Sequence, residues 1–168
     1  MVYNSLGRGL FEGLFTREQF QLLLEESLRR DSLLYKIDEI GLPTLTRSFT
    51  ALLLGHLVEV SNLPDSPYVQ LLSKEAYQTI CQKTYDYLAK EQDFTGYLQD
   101  HGWVHAVAHG ADLLVALVCH PYFEQEDWEQ IFPFLTAIFK RLPQRSVLWT
   151  MRNGAWRASS MRESNVDI

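Results

Sequence analysis

Apolar residues recur along this chain at the three-and-four spacing of an α-helix, and no segment sustains the two-residue alternation of a half-buried strand flanked by hairpin turns. A chain patterned this way must bury helix faces against one another, which restricts it to bundles and to stacked arrays of helix pairs. With 168 residues, 46% of them hydrophobic and 21% charged, it is long enough for one domain with a real core and too apolar to be disordered throughout.

Punctuation between the apolar stripes divides the chain into six or seven helices of roughly 10 to 20 residues. The first is expected from Val2 to Leu14, where Gly7, Gly9 and Gly13 each cost roughly 1 kcal/mol if interior, so it needs tertiary support. Thr16 with Gln19 reads as a capping box opening a helix whose Phe20, Leu23, Leu24 and Leu28 share a face. Asp31 is placed to cap a short helix through Leu34 and Ile37 that ends near Gly41 and Pro43. Thr44 or Thr46 is the expected cap of a core helix lined by Phe49, Leu52, Leu53, Leu57 and Val60. After Pro/Asp/Ser punctuation from Asn62 to Pro67, Ser73 caps a long helix with Ala76, Tyr77, Ile80, Tyr85 and Leu88 inward, ended by Asp93 to Gly96. Asp100 and Gly102 introduce the next helix, which runs to about Cys119 before Pro121. A last helix spans about Gln125 to Leu142, with Trp128, Ile131, Phe132, Leu135, Ile138 and Phe139 apolar and Pro133 set to kink it. Each stripe is too one-sided to stand without a neighbouring pair. The pattern therefore favours an all-α, irregular α-solenoid-like array of antiparallel helix pairs over its alternative, a compact helical bundle. Residues 1–142 form this single helical domain, and 143–168 an atypical Arg-rich C-terminal tail.

A net charge of −6 and a pI near 5.3 argue against nucleic acid or an anionic membrane as the main partner. Cys81 and Cys119 are far apart and lack a Cys-x-x-Cys or Cys/His spacing, so neither a disulfide framework nor a zinc ribbon is indicated; both read as buried small hydrophobes. The N-terminus lacks a basic region followed by an unbroken apolar stretch, and the most apolar windows, 49–60 and 104–119, fall short of the roughly 20 clean residues of a membrane span. A soluble cytoplasmic protein is expected. Gly7, Gly9 and Gly13 fit neither a phosphate-binding loop nor a dinucleotide fingerprint.

Chemistry concentrates in GWVHAVAHGADLL, where His105, His109 and Asp112 follow at offsets of four and three. On one helix those offsets place the three side chains within about 60° of arc. Two imidazoles and a carboxylate on one face have the residue types of a helix-borne divalent site for zinc, iron(II) or manganese. Glu91 and Asp93, in the preceding linker, are placed to add a ligand, an outer acceptor for an imidazole N–H, or a general base. A metal-free acid/base site is a further reading. The leading one is a hydrogen-bonded cluster that locks adjacent helices, because buried imidazoles are commonly satisfied by carboxylates or carbonyls without any ligand. His101 falls at or before the helix cap. Trp103 reads as packing between layers, with the wall of a groove as its alternative. Tyr77, Tyr85, Tyr87 and Tyr97 could stack a ligand, but the first three fall on one amphipathic helix and read as its packing, and Ser48 and Ser73 read as cap or helix-interior residues, not nucleophiles.

The stretch EQDFTGYLQDHGWVHAVAHGADLL from Glu91, together with RSFTALLL from Arg47 and YNSLGRGLFEGLFTREQ near the start, resembles the bacterial family called domain of unknown function 2785. The likeness covers roughly residues 2–140, its specific part being Gly-Trp-x-His-x-x-x-His-x-x-Asp, and it matches the family pattern at Glu91, Asp93, Gly96, Trp103, His105, His109 and Asp112. It implies an all-helical fold similar to HEAT or armadillo arrays and carries no assigned activity. The family pattern begins upstream of Met1 and continues past Lys140 with an acidic helix, whereas this chain ends SVLWTMRNGAWRASSMRESNVDI. Back-translating Leu148 to Ala158 and reading from the third base yields MDDEEWRLA, close to that acidic motif, so a frameshift near Val147 is the expected origin of the tail. The chain is thus expected to be a truncated or frameshifted member. Function is expected to be that of a protein- or peptide-binding or structural scaffold, with a metal-dependent or acid/base enzyme using His105, His109 and Asp112 as the alternative.

Overall fold

The computed structural model describes residues 2–29, 31–124 and 127–141, and most of them are helical. In chain order these are α1 (Val2–Phe11), α2 (Arg17–Arg29), a 3-10 turn at Ser32–Leu34, α3 (Leu42–Val60), α4 (Lys74–Lys90), the two-residue strands β1 (Tyr97–Leu98) and β2 (Gly102–Trp103), α5 (Ala106–Val118) and α6 (Asp127–Arg141). The Arg-rich tail, and the frameshift expected there, lie outside the described residues.

Local chemistry explains where the helices start. Thr16 and Gln19 close the capping box reciprocally, each backbone N–H bonding the other's side-chain oxygen at 2.9 and 3.2 Å. Ser73 accepts from the Ala76 N–H at 3.1 Å and opens α4 as expected. The expected Thr44 or Thr46 cap is displaced: α3 starts two residues earlier than Thr44, behind Gly41 at φ 94° and with Pro43 in its first turn. Proline is preorganised for that position, and the Thr44 hydroxyl is engaged elsewhere, by Asp93. Asp31 makes no capping bond, because its carboxylate pairs with Lys83, and only a 3-10 turn forms there. The largest departure is at 97–105. The helix expected from Asp100 and Gly102 starts only at Ala106, because the chain first forms a small antiparallel hairpin pairing Tyr97 with Trp103 and Leu98 with Gly102.

Packing is built around α3 and α5, which share the most extensive interhelix contact. They run parallel: Ser48 reaches Val104, Gly55 lies against the Leu113 backbone, and Asn62 donates to the Cys119 carbonyl. α4 runs antiparallel to α5, fastened at both ends by tyrosine hydroxyls, Tyr87 donating to Ala106 O at 2.9 Å and Tyr77 to Leu117 O at 3.0 Å. Gly110 makes this contact possible, since a Cβ there would lie 2.5 Å from Leu88 Cδ2 and 3.0 Å from Tyr87 Cε1. α6 docks on α4 through Phe134 against Tyr85, with ring centroids 5.0 Å apart. The N-terminal helices join the same core, Phe20 stacking on the buried Tyr68 at 5.0 Å. Leu54, Leu57, Leu113 and Leu117 are sealed at its centre, each contributing about 2 kcal/mol by leaving water.

No helix among the described residues is long and apolar enough to cross a membrane. Cys81 is half-buried, and burial pushes its thiol up to about 11, which keeps it inert. Cys119 is exposed at the end of α5, contrary to its expected burial, because it falls one turn beyond the exposed Val115 on the outer side of the helix.

Candidate functional site

The hairpin controls what becomes of the His105/His109/Asp112 set. Val104 N–H bonds Gly96 O at 2.9 Å and turns the chain inward, and His105 follows at φ 48° as the residue that caps α5. Only its carbonyl enters the helix, accepting from His109 N–H at 2.9 Å. The expected single helical face is therefore broken at its first member. His109 is buried, His105 is half-buried, and Asp112 lies on the exposed side of α5. Asp112 nevertheless acts on α3: loss of hydration first, and then the Asp112 charge, raise the pKa of the Glu59 carboxyl, even though Glu59 reaches the surface.

His109 is held by α3. Its Nδ1 lies 2.8 Å from Ser48 Oγ, and the same hydroxyl bonds the Val104 carbonyl. A carbonyl can only accept, so the serine proton points to Val104 and Ser48 receives the Nδ1 proton of His109. This polarity opposes a serine nucleophile, which must give its proton to the imidazole. It instead ties α3, the hairpin exit and α5 at one point. Phe49, on the next residue of α3, packs its ring 5.9 Å from the His109 ring.

Outward from His109, the aromatic rings form a ladder. The His105 ring meets His109 edge-on at 5.8 Å, Trp103 stacks on His105 at 4.8 Å with planes 8° apart, and Tyr97 closes on Trp103 edge-on at 4.9 Å. Trp103 is 52% exposed and Tyr97 54%, so the outer rungs form a surface platform while the inner rung is sealed. The expected packing of Trp103 between layers is corrected: strand pairing with Tyr97 lifts the indole onto the surface. Tyr97, outside the amphipathic helix, is exposed beside the indole, whereas Tyr77 and Tyr87 are buried and Tyr85 partly buried, as expected. His101 is exposed in the hairpin turn, outside the helix as expected.

Glu91 and Asp93 are buried, and their partners lie on the other side, toward α3. Glu91 Oε2 accepts from Arg47 Nε at 2.7 Å and Oε1 from Arg47 Nη2 at 2.9 Å, an ion pair with no exposed side-chain surface on either partner. Oε1 also takes the N–H groups of Gln92 and Asp93. Arg47 completes its bonding with the carbonyls of Tyr35, Lys36 and Glu39 and with Thr44 Oγ1. Asp93 accepts from Gly41 N–H, Thr44 hydroxyl and Thr95 N–H; burial works to raise its pKa, and these hydrogen bonds outweigh it, holding the carboxyl below its ordinary range. The network pins two irregular linkers to the start of α3. Arg47 was legible neither as ligand nor as anchor, yet a signal existed: it falls on the stripe of Ala51, Leu54 and Val58, where an unpaired charge cannot be buried.

Among the described residues no group of three His, Cys, Asp or Glu side chains is arranged to hold a metal ion. His105, His109 and Asp112, read as zinc, iron(II) or manganese ligands only in the alternative to a hydrogen-bonded cluster, form no such group among the described residues. Fold and site together define a mostly helical protein whose loops are pinned by buried ion pairing and whose α5 entrance carries an aromatic platform on a small hairpin. A family model described as Protein of unknown function (DUF2785) matches residues 33–151, and the chain belongs to that family. This is the family the motif resembles, though the matched stretch omits residues 2–32 and runs past Lys140. No curated protein and no solved structure matches the chain.

Proposed function

We propose that this chain is a non-catalytic, solenoid-like helical scaffold that binds a protein or peptide partner through the Tyr97–Trp103–His105 platform. Support for the array comes from α3 and α5 lying parallel while α4 runs antiparallel to α5 and carries α6, which is how successive helix pairs stack. The observation that carries the binding reading is the exposed indole of Trp103, held in place by rings on two sides. An aromatic already fixed by its neighbours loses little freedom on binding, and Trp and Tyr dominate the energetics of protein contacts. The metal-dependent or acid/base alternative has less to draw on. The Ser48 proton points at Val104, and the Glu91 and Asp93 oxygens are engaged by Arg47, Thr44 and backbone N–H groups.

Selection of a displayed random-peptide library against the purified chain tests this reading. Trp103→Ala is expected to weaken the selected peptide by at least about tenfold, equivalent to roughly 1.4 kcal/mol, while the thermal midpoint stays within about 2 °C. Failure to enrich any peptide, or equal binding by Trp103→Ala, overturns it.

A further inference from the structure

We infer that α6 is a self-association surface, through which two copies of this chain pair antiparallel about a two-fold axis. α6 turns Ile131 and Ile138 into the core, yet Trp128, Phe132 and Phe139 remain 39%, 64% and 50% exposed. Offsets of four and seven place these three rings within about 40° of arc, so they form one stripe roughly a quarter-turn round from the buried one. Scattered exposed apolar residues need no explanation; an aligned aromatic stripe on an outer helix does.

Charge selects the occupant. Glu129 and Lys140 are both exposed, and both border the stripe on the same flank, one near each end of the helix. In an antiparallel pair with the dyad beside Phe134, Trp128 of one copy meets Phe139 of the other. The same register sets Glu129 against Lys140 twice over. In a parallel pair the two copies would turn this flank to opposite sides of the seam, so neither Glu129 nor Lys140 would meet its opposite charge. The face is thus self-complementary in one orientation, as an isologous interface requires. The three rings offer roughly 300–400 Å² per chain, below the roughly 800 Å² per partner of a long-lived complex, so the dimer is weak, with a dissociation constant on the order of 0.1 mM.

Sedimentation velocity of the full chain at low salt, from about 5 μM to about 1 mM, tests the assignment. A concentration-dependent dimer is expected, abolished by Phe132→Asp, an exposed position whose substitution spares the core. Glu129→Lys and Lys140→Glu should each weaken association about tenfold, and the double variant should restore it. A wild-type chain that stays monomeric throughout overturns the proposal, whether chain beyond Arg141 or a foreign protein covers the stripe. So does a double variant no better than either single one.

Discussion

Replacing Glu91 by Gln removes one charge from a pair with no solvent-exposed side-chain surface. Arg47 would keep its three carbonyl acceptors and Thr44, but its guanidinium would sit fully buried without a counter-ion, and one of the two glutamate contacts, at 2.7 and 2.9 Å, would face an amide N–H. Breaking a buried pair by removing one partner costs about 3–5 kcal/mol. Against a total stability of roughly 5–15 kcal/mol that is a large fraction, and at about 2–4 °C per kcal/mol it lowers the thermal midpoint by about 6–20 °C. Urea unfolding followed by far-UV circular dichroism reads this directly, with the slope unchanged if the denatured state is unaltered. Lys36→Ala, which breaks the exposed Lys36–Glu39 pair, serves as the control and should cost less than about 1 kcal/mol. Replacing both partners by methionine should recover only part of the loss, because the Tyr35, Lys36 and Glu39 carbonyls still lose their donor. A Glu91→Gln chain within about 1 kcal/mol of wild type would refute the reasoning.

Burial lowers the pKa of His120 below its ordinary value of 6.5, its Nδ1 accepting from Tyr122 N–H and its ring stacked on Tyr77 at 5.0 Å. The unfolded chain then takes up a proton first on acidification, so this contribution is whole above pH 6.5 and declines as pH falls through the folded value. Urea midpoints measured from pH 7.5 down to about 5 should fall, and His120→Asn, whose side-chain oxygen can still accept from Tyr122, should flatten part of that slope. Gly110→Ala places a methyl 2.5 Å from Leu88 Cδ2 and 3.0 Å from the sealed Tyr87 ring. Overpacking of about 1–3 kcal/mol should exceed the roughly 1 kcal/mol gained in helix propensity, and adding Leu88→Ala should remove the steric part of the cost, visible as a positive coupling in a double-mutant cycle of thermal midpoints.

Much of the fold was legible because helices announce themselves locally. The Thr16/Gln19 box, the Ser73 cap and the stripes of α2 and α4 depend on residues a turn or two apart and stand where their spacing put them, whereas α3 buries Arg47, Ala51, Leu54 and Val58 beyond its expected stripe and leaves Phe49 and Leu53 only partly buried. The site was legible only as a list of residues. Trp103, His105 and His109 meet at the start of α5, Glu91 and Asp93 bond Arg47 and Thr44 on α3, and the helical face expected of His105, His109 and Asp112 does not form. A left-handed residue at His105 and a two-residue ladder decided that, and neither has a propensity signal strong enough to overrule the helical period around it.

Sequence alone determined that this chain is helical, because amphipathic spacing and caps act over a few residues. It also marked the neighbourhood where polar groups gather. Tertiary structure decided which of them share a partner: Arg47 joins Glu91 across 44 positions, and Ser48 joins His109 across 61. Such pairings follow from how α3 lies beside α5 and the end of α4, a through-space arrangement that no local period encodes. The same packing leaves Trp103 facing water while Arg47, a charged residue, is sealed inside.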